Sequence, residues 1–138
     1  MSKYSILYAD DDPDDLELVQ EAFSLYSTNF NVTTFMDGGQ ILSYLQQLPA
    51  KEPAPCLVIL DINMPVMTGK EVLINIRQIP RYESIPVVLF TTSSQPLDKI
   101  FASQYNAGFI TKPIGMKEMD MIIKQFINHC SEEVKNFK

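Results

Sequence analysis

Short apolar runs alternate with helical patterns along the whole chain. SILYA (residues 5–9), FNVTTF (30–35), CLVIL (56–60), IPVVLF (85–90) and GFIT (108–111) read as strands. The third and fourth are apolar nearly throughout, as strands covered on both faces should be, which puts them at the sheet centre. Between the runs, Leu16, Val19, Phe23 and Tyr26 fall at helical spacing, with Asp12 suited to an N-cap and Pro13 to the first turn. Ile41, Leu42, Leu45 and Leu48 mark a second helix stopped by Pro49, and Val72, Leu73 and Ile76 a third stopped before Pro80. Ile100, Phe101 and Tyr105 mark a fourth after Pro96. Met116, Met119, Ile122, Ile123, Phe126 and Ile127 mark a fifth with a wide apolar stripe. Five βα units of this length predict an α/β fold: an open, doubly wound, five-stranded parallel sheet with helices on both faces.

A chain of 138 residues fits one domain with a real core. Its formal charge of −6 disfavours a nucleic-acid backbone or an anionic membrane as partner and favours cations and basic patches. Cys56 and Cys130 give neither a disulfide framework nor a zinc-type CxxC spacing, and Cys56 reads as a small buried hydrophobe in a reducing cytoplasm. No apolar h-region precedes the first acids, and no run approaches the roughly 18 apolar residues of a membrane span, so a protein neither exported nor membrane-spanning is expected.

In doubly wound sheets, ligands bind beyond the carboxyl ends of the strands. The residues at or just past those ends are Asp10 and Asp11, then Asp61, Thr91 and Lys112. Three carboxylates, a hydroxyl and an ammonium would converge there, and carboxylate oxygens with water suit a hard divalent cation such as Mg²⁺. Asp61 could also act as a nucleophile toward phosphorus, with the metal, Lys112 and Thr91 balancing the phosphoryl charge.

These residues carry a resemblance. Asp10 and Asp11 in ADDD, Asp61 with Met64, Pro65 and Gly69 in LDINMPVMTG, Thr91 in LFTTSS, and Lys112 with Pro113 in TKPI stand in the order and spacing of two-component response regulator receiver domains. The chain is similar to that family over residues 3–129, leaving a short tail at 130–138 with no room for an output domain. The resemblance implies a flavodoxin-like (βα)5 receiver fold with strand order 2-1-3-4-5. It also implies a bacterial, cytoplasmic signalling protein and not an enzyme in its own right. The protein would accept a phosphoryl group on Asp61 from a histidine kinase or histidine phosphotransfer protein, using Mg²⁺ or Mn²⁺. By the same resemblance, Asp10, Asp11, Asp61 and the Asn63 main-chain carbonyl would hold the metal, and Lys112 would pair with the phosphoryl oxygens. Thr91 and Phe109 would form the switch, Pro113 would follow a cis peptide bond, and Gly69 would be structural. The face formed by the fourth helix, fifth strand and fifth helix would carry the signal to an unidentified protein, with the receiver a monomer or a phosphorylation-dependent dimer.

More narrowly, PDDLEL and YNAGFITKPI resemble the stand-alone receivers that accompany phytochrome-type or hybrid histidine kinases. Tyr8 and Ala9 stand where other members carry Val, and Thr92 replaces a frequent Ala, which narrows access for an attacking water.

Other readings compete with these. Asp10, Asp12, Asp14 and Glu21 fall at EF-hand spacing, but Asp15 occupies the glycine position, Pro13 intrudes and a strand precedes the loop. Asp12, Asp14 and Asp15 are read instead as capping and first-turn acids of a helix. His129, the only histidine, has no partner at useful spacing and reads as a surface residue. The rival functions are a pseudo-receiver that works unphosphorylated, a flavin or nucleotide binder on the same sheet, and an Mg²⁺-dependent aspartyl-phosphate phosphatase. The absence of GxGxxG or a P-loop weakens the nucleotide binder. The phosphatase would want an acid where Asn63 stands, and the chain has no room for its cap.

Overall fold

The protein, described by a computed structural model at residues 4–26, 30–113 and 118–130, forms a five-stranded parallel sheet. The strands are β1 (Tyr4–Ala9), β2 (Phe30–Phe35), β3 (Leu57–Leu60), β4 (Val87–Thr91) and β5 (Gly108–Thr111), in the order β2-β1-β3-β4-β5. The helices are α1 (Pro13–Phe23), α2 (Gly38–Gln47), α3 (Gly69–Gln78), α4 (Pro96–Gln104) and α5 (Met119–Asn128). Both the order and the five βα units agree with the sequence reading. Met116, expected at the start of the fifth helix, lies outside the described residues.

The alternation of strand side chains divides the core into two layers. Ile6, Tyr8, Leu57, Ile59, Val88, Phe90 and Ile110 pack with α1 and α5. Leu7, Ala9, Val58, Leu60, Val87 and Leu89 pack on the other face with α2, α3 and Ala102 of α4. Every residue of β3 and β4 is buried, which explains their continuous apolar runs.

Helix starts follow the capping chemistry. The Asp12 carboxylate accepts from the Asp14 N–H and the Asp37 carboxylate from the Gln40 N–H, while Thr68 and Glu71 close a reciprocal capping box at α3.

Two short 3-10 turns occur: the first, Ser24–Tyr26, takes up Tyr26, which the helical spacing had placed in the first helix, and the second, Pro80–Tyr82, had no periodic signal. The second turns Tyr82 fully inward from a polar stretch, and its hydroxyl donates to the Leu45 carbonyl at 2.7 Å. Arg77, at the end of α3, spreads its guanidinium over the carbonyls of Tyr82, Ile85, Tyr105 and Asn106 at 2.8–3.2 Å. One side chain thereby satisfies acceptors in both the turn before β4 and the turn before β5.

Candidate functional site

Sheet register brings the acids together. Ala9 pairs with Leu60, and the Asp61 N–H donates to the Ala9 carbonyl at 3.0 Å, so Asp10 and Asp61 leave adjacent strands at the same level. On the far side Thr91 pairs with Thr111, and the Lys112 N–H donates to the Thr91 carbonyl at 2.8 Å. Asp10, Thr91 and Asp61 are the buried polar or charged residues among those described, whereas Asp11 and Asn63 are exposed. Oxygens of Asp10, Asp11 and Asp61 lie within 4.8 Å of one another. An all-oxygen set of this size fits a hard divalent cation, and the exposed Asp11 leaves the site open to water and to an incoming group.

Lys112 is the counter-charge. Its Nζ lies 2.7 Å from Asp10 Oδ2 and 3.7 Å from Asp61 Oδ1, with the side chain only 10% exposed. Burial works against the ammonium, but its bonds to Asp10 and Asp15 and the charges of Asp10 and Asp61 prevail, raising its pKa above the ordinary lysine value. Asp61 is pushed up to about 6, by burial and then by the Asp10 charge, with Lys112 and the Ile62 N–H acting in opposition. A carboxylate held at this cost is relieved by anything that brings positive charge to it.

The sequence reading missed two contributors. Asp15, read as a first-turn acid of α1, also reaches Lys112 at 2.7 Å from 97 positions away. Tyr8 is fully buried, and its hydroxyl donates to Asp10 Oδ2 at 2.6 Å. Burial and the Asp10 charge drive its pKa far above the phenolic range. The signal for Tyr8 was available: residues 8 and 10 share a strand face.

The expected cis bond before Pro113 is corrected: the described residues contain no cis peptide, so the Lys112–Pro113 bond is trans. Trans is the lower-energy isomer even before proline, and Lys112 is already held by its N–H and its carboxylate partners.

Gly69 opens α3 directly against the Asp61 and Ile62 backbone. Its N–H donates to the Ile62 carbonyl at 2.9 Å, and a Cβ added there would collide with the Asp61 carbonyl. Gly69→Ala is expected to cost about 2 kcal/mol in a urea titration, and more of the loss should appear as weakened divalent-cation binding than Gly38→Ala would cause. In the β3–α3 loop Val66 has φ of 68°, a conformation costly to a β-branched residue. Phe109 is half-buried, with Lys99 Nζ 5.9 Å from its ring centre, and Thr91 Oγ accepts from the Ser93 N–H at 3.3 Å.

At the carboxyl edge of a doubly wound parallel sheet, the clustered carboxylates suit a divalent cation and the largely covered Lys112 ammonium suits an anionic group. The chain belongs to the response regulator receiver domain family, whose sequence model matches residues 6–124. It is 33% identical over 122 residues to response regulator Rcp1 of Synechocystis sp., covering 86% of this chain and 83% of that protein. It is also 33% identical over 124 residues to response regulator Rre1 of the same organism, covering 89% of this chain and about half (51%) of that protein. Among solved structures, the phosphorylated cyanobacterial phytochrome response regulator RcpA matches with a TM-score of 0.81 at 31% identity, over 90% of this chain and 91% of that one. The Mn²⁺-bound form of Rcp1 matches with a TM-score of 0.79 at 31% identity, over 88% and 90%. No described helix is long and apolar enough to cross a membrane.

Proposed function

We propose that this receiver takes a phosphoryl group onto Asp61 from a phosphohistidine of a histidine kinase or phosphotransfer protein, and signals through the face formed by α4, β5 and α5. The observation that carries this reading is the meeting of Asp10, Asp11 and Asp61 oxygens around one point, with the Lys112 ammonium beside them. An Asp61 oxygen attacks phosphorus, the bond from phosphorus to the imidazole nitrogen breaks, and the electron pair returns to the ring, leaving an acyl phosphate. Asp10, Asp11, Asp61 and the Asn63 carbonyl would hold Mg²⁺ or Mn²⁺. When bound, the cation would neutralise charge on the phosphoryl oxygens.

Lys112 exchanges part of its contact with Asp10 and Asp15 for a phosphoryl oxygen, and the Thr91 hydroxyl turns toward another. Phe109 follows Thr91 inward, and the change reaches Leu97 and Ile100 on α4 and Met121 on α5, all three exposed. The likeness to the phytochrome regulators favours a phytochrome-type or related histidine kinase as donor.

Acetyl phosphate or phosphoramidate with Mg²⁺ should add one phosphoryl mass, read by intact-mass spectrometry, and the gain should vanish in Asp61→Asn and on chelation. No gain from these donors or from a cognate kinase overturns the assignment.

A further inference from the structure

Cys56 and Cys130 stand 74 positions apart in the chain, yet their sulfurs meet in the core at 3.3 Å. Cys56 leads into β3, its N–H bonded to the Ser5 carbonyl at 2.8 Å. Cys130 follows α5, its N–H bonded to the Ile127 carbonyl at 3.0 Å. Both are buried thiols in the layer that holds Phe126 and Ile123. Apolar packing asks only for small side chains at these two places. It does not ask that the two sulfurs be neighbours, and that juxtaposition is what calls for a chemical reading. A disulfide bond holds its sulfurs about 2.0 Å apart, so closure needs an approach of about 1.3 Å. Helix ends open more readily than helix centres, and Cys130 lies just past the end of α5, which gives an oxidant a route to the pair.

We propose that Cys56 and Cys130 form a reversible dithiol–disulfide pair that fastens the carboxyl end of α5 to β3 when the protein meets a peroxide. One thiolate attacks the peroxide O–O bond, giving a sulfenic acid and releasing the alcohol, or water from hydrogen peroxide. The second sulfur then displaces hydroxide from the first, closing the S–S bond. The two thiol protons leave in the alcohol and in water, and the two electrons lost by sulfur reduce the peroxide. A dithiol reductant reverses the change by exchange. The pair lies away from the carboxyl edge of the sheet, so its oxidation does not depend on Asp61 accepting phosphate.

The test uses the full chain, reduced and then exposed to hydrogen peroxide, denatured in N-ethylmaleimide and weighed intact. The reduced protein should take up two maleimides. The oxidised protein should take up none, weigh two hydrogens less, regain both sites after dithiothreitol, and yield on digestion a peptide pair joining Cys56 to Cys130. Its thermal midpoint should rise on oxidation, a rise absent from Cys56→Ala and Cys130→Ala. Two maleimides still taken up after peroxide, sulfinic acid in place of the cross-link, or disulfides only between chains would each overturn the proposal. The readout on the unmutated chain stands even if an alanine variant folds poorly.

Discussion

Lys112→Met is expected to lower stability by roughly 3 kcal/mol at pH 7, because it leaves the fully buried Asp10 carboxylate beside Asp61 without its counter-charge. In the unsubstituted protein the Lys112 pKa is raised on folding, so its contribution is complete below the ordinary lysine value and fades only as pH climbs through the higher folded one. At pH 7 the whole contribution is therefore at stake. Methionine keeps the bulk and removes the charge, which separates electrostatics from packing. The deficit should shrink toward pH 4, where Asp61, pushed up to about 6, carries a proton and no longer adds to the uncompensated charge. Asp15→Asn, at a side chain 28% exposed, should cost only about 1 kcal/mol. Urea titrations of the three proteins at pH 7 and pH 4.5 check this, and a loss below 1 kcal/mol for Lys112→Met at pH 7 would show that the lysine does not hold the acids together.

Asp61→Asn moves stability the other way. With chelator present at pH 7, the variant should be more stable than the unsubstituted protein by on the order of 2 kcal/mol. Folding raises the Asp61 pKa from 3.8 to about 6, so the folded chain binds this proton more tightly than the unfolded chain does. The charged form is thus a burden on the fold, complete above about pH 6 and gone below 3.8. Lowering the pH from 7 to 4 should bring the two stability curves together. Mg²⁺ at pH 7 should stabilise the unsubstituted protein more than the variant. Equal stabilities in chelator across this range would remove the electrostatic account of the site.

The parts of the molecule that announced themselves in the sequence did so through periodicity or position. Residues 57–60 and 87–90 had to be apolar on both faces, and the rule for strand ends then pointed to Asp10, Asp61, Thr91 and Lys112. What stayed hidden depends on how distant elements sit against one another. The contact between Asp15 and Lys112 joins the start of α1 to the residue just past β5, a long-range meeting that no local pattern encodes. Arg77 reads as an ordinary last-turn cation of a helix, and only the fold shows its donors taken up by four carbonyls. Tyr82 carries its apolar ring in a stretch with no helical or strand period, so nothing marked it as core. The cis bond was implied by family likeness and not by a local constraint, and the trans form stands in its place.

The grip of Arg77 on Tyr105 and Asn106 has a mechanical consequence for α4. The carboxyl end of that helix is pinned to α3. Its amino end is held by side chains, with Asp98 bridging Lys70 of α3 and the Ser93 hydroxyl of the loop after Thr91. The two ends of α4 are therefore held by different chemistry, backbone carbonyls taken by a guanidinium at residues 105–106 and a side-chain ion pair with a hydroxyl at Asp98, so added salt or loss of Lys70 should loosen the amino end before the carboxyl end.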